Sequence, residues 1–208
     1  MEVSIIGAGN VGIALARGFT ARGQRVTLGV PDPTQYAQEA ALLGTQAPIV
    51  STSEAIATGQ IVILAVPYSA ALQIAADLSD WGGRILVDAT NPIAPGMAGL
   101  LIGNTSSGAE SIASRAHNAR VVKAFNTTGA ENMADSRYPD GKVFMPICGD
   151  DADARAQILT LARLIGFDAV DMGELNVARY IEPFAMAWIH LAIKRGAGRR
   201  FAFARLAR

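Results

Sequence analysis

The residues best suited to chemistry come first in the chain: Gly7-Ala8-Gly9-Asn10-Val11-Gly12, directly after an apolar run. This is G-x-G-x-x-G, a spacing that builds a surface for a diphosphate when a strand precedes it and a helix follows. Gly7 permits the tight turn out of the strand. Gly9 removes the side chain that would hold a diphosphate off the backbone, and Gly12 lets the helix lie close to the sheet. The amides at the helix start then face the anion, and the helix dipole favours its charge. A bare glycine motif is common, but here a second strand also follows the helix. The sequence therefore predicts a dinucleotide site, with a nicotinamide as the expected ring. FAD and S-adenosylmethionine are rival ligands of such sheets, and a ligand-free glycine turn is the plain alternative.

Other strand ends should line the same crevice, because open α/β sheets bind ligands beyond the carboxyl ends of their strands. After the second strand stands Gly29-Val30-Pro31-Asp32-Pro33. It offers neither a well-placed acid for an adenosine ribose nor an arginine for a 2′-phosphate, so NAD and NADP both stay open. Asp32 serves equally as a turn cap. Ala65-Val66-Pro67-Tyr68 follows the fourth strand and Asp88-Ala89-Thr90-Asn91-Pro92 the fifth. Val66 and Pro67 can pack on the nicotinamide end, and Asn91 can hydrogen-bond its carboxamide. Turn formation would also account for Pro67, Asn91 and Pro92.

The elements needed to position these residues are legible in the hydrophobic pattern. Strands are expected at Glu2–Ile6, Arg25–Gly29, Ala47–Val50, Ile61–Ala65, Ile85–Val87 and Arg120–Lys123. Helices are expected at Asn10–Arg22, Thr34–Leu43, a brief turn capped by Ser51 or Ser53, Ala70–Leu78 and Gly108–Ala116. The alternation predicts an α/β fold: a Rossmann-type, doubly wound, mostly parallel sheet. Asn91–Ser106 reads as loop. Later strands at Lys142–Cys148 and Ala169–Asp171 flank a helix at Ala152–Ile165, and Asn176–Arg208 reads as mostly helical, broken near Gly196 and Gly198. Residues 1–175 form the expected dinucleotide domain, and residues 176–208 a short helical segment expected to supply a dimer contact and a wall of the acceptor site.

Half of the 208 residues are apolar and 17% are charged, which suits a filled core. Eighteen acidic residues balance eighteen basic ones, so no net field recruits nucleic acid. No apolar run is long enough for a membrane span and no leader pattern opens the chain, so a cytoplasmic protein is expected. Lys194, Arg195, Arg199, Arg200, Arg205 and Arg208 gather near the end and read as a solvated helix terminus. Phe184–Ile193 is apolar around most of a helix, which predicts a core or homodimer contact.

Several reactive residues have plain structural readings. Lys123 ends a strand and is expected to reach solvent. Cys148, the one cysteine, is expected to be packed and inert. His117 is expected exposed and His190 in a core or interface. Asp150-Asp151 is expected to supply an N-cap and a first-turn charge. The sequence shows no Ser-His-Asp set, no metal-ligand cluster and no clear acid–base pair, so no catalytic side chain and no metal are assigned.

Four blocks together resemble a known family: Ile5 to Gly12, Val122-Lys123-Ala124-Phe125-Asn126, Pro146 to Asp151, and Asp171 to Leu175. The chain resembles the NADP oxidoreductases that use the deazaflavin coenzyme F420, and the cytosolic oxidoreductase domain of six-transmembrane metalloreductases. The resemblance implies an NADPH-binding sheet, a short helical end that helps form a homodimer, and hydride transfer between a nicotinamide and a deazaflavin or flavin. The small-molecule cofactors would then carry the chemistry while the protein positions two rings. Cofactor contacts carry over to Gly7, Gly9, Asn10, Val11, Gly12, Val66, Pro67 and Asn91, with Ala8, Val30 and Ala65 beside them. Phe125 and Asn126 would sit near the entry of the second ring. The family often has Ser-Arg or Val-Arg where this chain has Val30-Pro31. A small dehydrogenase of the pyrroline-carboxylate reductase or β-hydroxyacid dehydrogenase kind is the second enzyme reading, although residues 176–208 are short for its helical domain. A dinucleotide sensor without turnover is the non-enzymatic one.

Overall fold

The computed structural model describes residues 1–206. Its core is an eight-stranded sheet laid down by alternating strands and helices. The first half supplies β1 (Val3–Ile6), α1 (Asn10–Thr20), β2 (Val26–Val30), α2 (Ala37–Leu43), β3 (Ile49–Ser51), α3 (Thr52–Thr58), β4 (Ile61–Leu64), α4 (Tyr68–Asp77) and β5 (Ile85–Asp88). The second half adds α5 (Gly108–Ala113), β6 (Arg120–Lys123), α6 (Ala130–Ala134), a small hairpin of β7 (Arg137–Tyr138) and β8 (Gly141–Lys142), then β9 (Phe144–Gly149), α7 (Ala152–Leu164), β10 (Asp168–Asp171) and α8 (Ala178–Ile189).

The strand order is β3-β2-β1-β4-β5-β6-β9-β10. The six strands from β3 to β6 are parallel, whereas β9 runs antiparallel to β6 and β10 parallel to β9. This is the doubly wound Rossmann order, whose direction of progression reverses between β1 and β4 and opens a crevice there. The continuous apolar runs exist because both faces are covered. Ile61 and Ile63 join the core under α1, α6 and α7, while their neighbours Val62 and Leu64 join the core under α3, α4, α5 and α8. No helix among the described residues is long and apolar enough to cross a membrane.

The chain end departs from the expected helix. Helix α8 runs on into one π-helical turn at His190–Lys194 and stops, and Gly196 and Gly198 then take positive φ of 70° and 76°. Residues 195–206 form a strap instead. Its Phe203 carbonyl accepts the Phe144 amide, and Phe201 stacks on Trp188 with ring centroids 5.2 Å apart. Aromatic burial and these backbone bonds outweigh helix continuation across two glycines. Three of the basic residues have partners: Arg199 pairs with Glu131, Arg205 with Asp168, and Lys194 donates to the Gly96 carbonyl. Arg208 lies outside the described residues. His117 is exposed as expected; His190 is exposed too, rather than in the core. Asp151 caps α7 by accepting the Ala154 amide, while Asp150 accepts the Leu175 amide and so fixes the turn after β10.

The largest departure is Lys123, which does not reach solvent. It is completely buried, and its ammonium donates to Asp88 Oδ2 at 2.8 Å, Glu182 Oε1 at 2.9 Å and the Thr90 carbonyl at 2.7 Å. All three of its protons are therefore used. Asp88 also accepts from the Thr90 amide and hydroxyl, and Glu182 from the Gly108 and Ala109 amides. Burial alone would push the lysine down, yet the charges of Asp88 and Glu182 outweigh it and hold the ammonium above its ordinary range. Periodicity cannot show this, because the partners come from β5 and from α8, 35 and 59 positions away.

Two outcomes follow. Lys123→Met strands two buried carboxylates and should lower unfolding stability by about 3–5 kcal/mol, read from the denaturant midpoint. Cys148 is fully buried and desolvation pushes its thiol up to about 12. Native protein near pH 8 should therefore react with a disulfide reagent far more slowly than unfolded protein; equal rates would show that the site is open.

Candidate functional site

The glycine loop joins three strand ends. The Gly7 amide donates to the Gly29 carbonyl, and the Ala65 amide to the Ile6 carbonyl, both at 2.8 Å. Gly7 has φ of 109°, and a Cβ there would stand 2.5 Å from the Ala65 carbonyl oxygen. Neither the backbone nor the space admits a side chain. A Cβ on Gly12 would collide with the Gly7 carbonyl, so Gly12 sets the distance of α1 from the loop more than from the sheet. Gly9 is different: a Cβ there would meet nothing within 4 Å. It faces open space, and α1 starts behind it with no side chain capping its amides. Those amides and the positive end of the helix dipole form a cradle for an anion.

On one side of the loop lies a cleft of about 360 Å³. It is lined by Gly7, Ala8, Gly9, Val30, Ala65, Val66 and Pro67, all named from sequence, and also by Tyr36 and Thr52. No arginine lines it. Asp32 is engaged elsewhere. Its carboxylate accepts from the Thr34 hydroxyl and Gln35 side-chain amide and from the Thr34 backbone amide, which together lower its pKa and make it a turn cap.

On the other side lies a second cavity of about 300 Å³, which gathers Val11, Asn91, Phe125 and Asn126. Asn91 Nδ2 donates to the Asn126 backbone carbonyl and Asn126 Nδ2 to Asn91 Oδ1, each at 2.9 Å. This reciprocal pair leaves Asn126 Oδ1 buried with no partner. A buried acceptor without a donor costs free energy unless a ligand supplies one. Phe125, at φ of 60°, bends the strand end so that Asn126 reaches the cavity wall. Its ring points away, packing edge-on to Phe19 at 6.1 Å and tilted to Phe167 at 6.3 Å. Phe125 therefore lines the cavity without presenting its ring to a second ring. A positive φ is costly for an aromatic residue, and such strain concentrates at sites.

Asn10 falls outside both cavities, into a neighbouring hollow with Arg17 and Glu131. The opposite wall of the second cavity is Met97 from the loop after β5, which sequence reasoning missed, and Trp188, Ile189 and Ile193 from α8 and its π turn, which it gave only as a segment expected to wall the acceptor site. Their apolar run was legible, but not which neighbour it would face.

Comparison with known proteins agrees with this geometry. The family model described as NADP oxidoreductase, coenzyme F420-dependent, matches residues 2–92. Rat metalloreductase STEAP3 (Rattus norvegicus) is 32% identical over 188 residues, which is 89% of this chain and 36% of that protein. The chain thus spans about a third of the length of that relative. A protein assigned as an F420-dependent NADP reductase from Arthrobacter sp. FB24 superposes with a TM-score of 0.85 at 28% identity, covering 100% of both chains. The hypothetical protein SMa0349 of Sinorhizobium meliloti superposes at 0.80 with 34% identity, covering 88% of this chain and 90% of the other. The doubly wound sheet begins, and the open glycine cradle lies, within residues 2–92, the part of the chain that matches the family of NADP oxidoreductases, coenzyme F420-dependent.

Proposed function

We propose that this chain is an NADPH-dependent reductase that passes a hydride to a flat conjugated ring, either a deazaflavin of the F420 type or a flavin. The observation that carries the reading is the unpartnered Asn126 Oδ1, buried beside the glycine cradle in a cavity with apolar walls. A nicotinamide carboxamide has the N–H donor that this oxygen lacks. Gly9 leaves room for the diphosphate, and the uncapped amides of α1 would neutralise it. Val66 and Pro67 would pack at the turn between the two cavities.

NADPH, when bound, supplies the hydride. The chain's own residues orient and enclose it. Asn91 accepts from the Asn126 side-chain amide and donates to the Asn126 backbone carbonyl, which fixes that amide at the cavity wall. Val11, Met97, Trp188 and Ile189 form apolar walls that suit a planar ring and keep water away. Arg199 is the one ionisable residue among the lining residues, and it is already paired with Glu131. Positioning is therefore the protein's contribution, with no side chain assigned as acid or base. We also propose a homodimer, on the strength of the exposed Leu101, Leu191 and Ile193 around this end of the molecule.

Purified protein given NADPH and either F420 or FMN should lose reduced-nicotinamide absorbance; no turnover with either ring would overturn the reductase reading. Gly9→Val should cost no more than about 1 kcal/mol of stability, since its Cβ meets nothing, yet weaken NADPH binding at least about tenfold. Light scattering at micromolar concentration should give twice the chain mass, and Ile193→Glu should return it to that of one chain. A wild-type monomer would remove the dimer.

A further inference from the structure

The Lys123 ammonium, at the tip of β6, bonds to the end of β5 and to α8, so it joins three of the elements that form the second cavity while lying outside that cavity. Its bond to the Thr90 carbonyl fixes the residue just before Asn91. Its own strand end leads through the strained Phe125 to Asn126, so one cation cross-links both loops that carry the amide pair. Its third bond goes to Glu182 on α8. Ile189 and Ile193 follow Glu182 by 7 and 11 positions, a spacing that puts them along the same helix face. Glu182 is itself held by the Gly108 and Ala109 amides, so α8 cannot slide without breaking buried bonds. The three charged groups leave one net negative charge in the interior, which the amides at the start of α5 and the Thr90 donors help to offset.

Building on the proposed nicotinamide site, we infer that Lys123 is the positioning residue of its ring end. By gripping Thr90 and Glu182 together, it sets the Asn91–Asn126 pair at a fixed separation from the α8 wall. Lys123 touches neither dinucleotide nor acceptor. Its effect is confined to the ring half of the ligand, because the glycine cradle and adenosine-end cleft are held by separate backbone bonds among β1, β2 and β4.

That confinement separates positioning from general stabilisation. Two ligands are titrated into the full chain by calorimetry: NADPH, which fills both halves, and 2′,5′-ADP, which fills only the adenosine half. Lys123→Met should weaken NADPH about tenfold while leaving 2′,5′-ADP within about twofold, and should abolish any enhancement of nicotinamide fluorescence on binding. Because Lys123→Met strands two carboxylates, the variant Lys123→Met with Glu182→Gln is measured beside it. That variant preserves the net charge of the cluster and should show the same split. Ile158→Ala, a core truncation in α7 that removes no bond of the cluster, serves as the stability control and should show none. If NADPH and 2′,5′-ADP weaken equally, or if NADPH binds the variants as it binds wild type, the inference is overturned. If wild type binds neither ligand, the dinucleotide reading itself has failed.

Discussion

The constraint on which this molecule depends is a helix that starts without a cap. A Ser, Thr, Asp or Asn side chain can satisfy a helix's first amides, and here α3, α5 and α7 are capped so through Ser51, Ser107 and Asp151, whereas α1 is among the helices that are not. Helix α1 begins behind Gly9 with nothing on it. A bare helix start at the switch point of the sheet is an electropositive feature facing open space. Gly7 and Gly12 exist to let the chain reach it, since a side chain at either would meet backbone. The site's stability is thus traded against its capacity to hold an anion.

A second constraint is electrostatic and lies deeper. A buried lysine between two buried carboxylates does not by itself argue for stability, because desolvation offsets most of the Coulombic attraction. Here each partner stands at a joint of the cavity: Asp88 at the tip of β5, Lys123 at the tip of β6 and Glu182 on the helix that closes the far wall. Apolar packing could fill the same volume but would allow these elements to slide. Three hydrogen bonds from one ammonium do not. Direction, more than energy, is what the cluster supplies.

The glycine loop, the doubly wound, mostly parallel sheet and most of the cleft lining were legible in the sequence because each rests on local pattern: a turn needing positive φ at Gly7, and apolar runs covered on both faces. Val66, Pro67 and Asn91 could be placed because strand ends converge in this fold. What was illegible depends on distant partners. Lys123 reads as a snorkelling side chain until Glu182 is known to lie above it. Phe125 reads as a residue beside the entry of the second ring until Phe19 and Phe167 are found to receive its side chain. The strap after Lys194 reads as helix because Phe201 and Phe203 suit helix or coil alike, and only their packing on Trp188 and Phe184 decides.

The central claim is that a dinucleotide lies across the bare start of α1 and ends on Asn126. A crystal structure of the chain with NADPH tests it most directly. The account requires the carboxamide nitrogen within about 3.2 Å of Asn126 Oδ1 and the diphosphate over the amides that follow Gly9. A nicotinamide lying elsewhere, with Asn126 Oδ1 still lacking a donor, would contradict it.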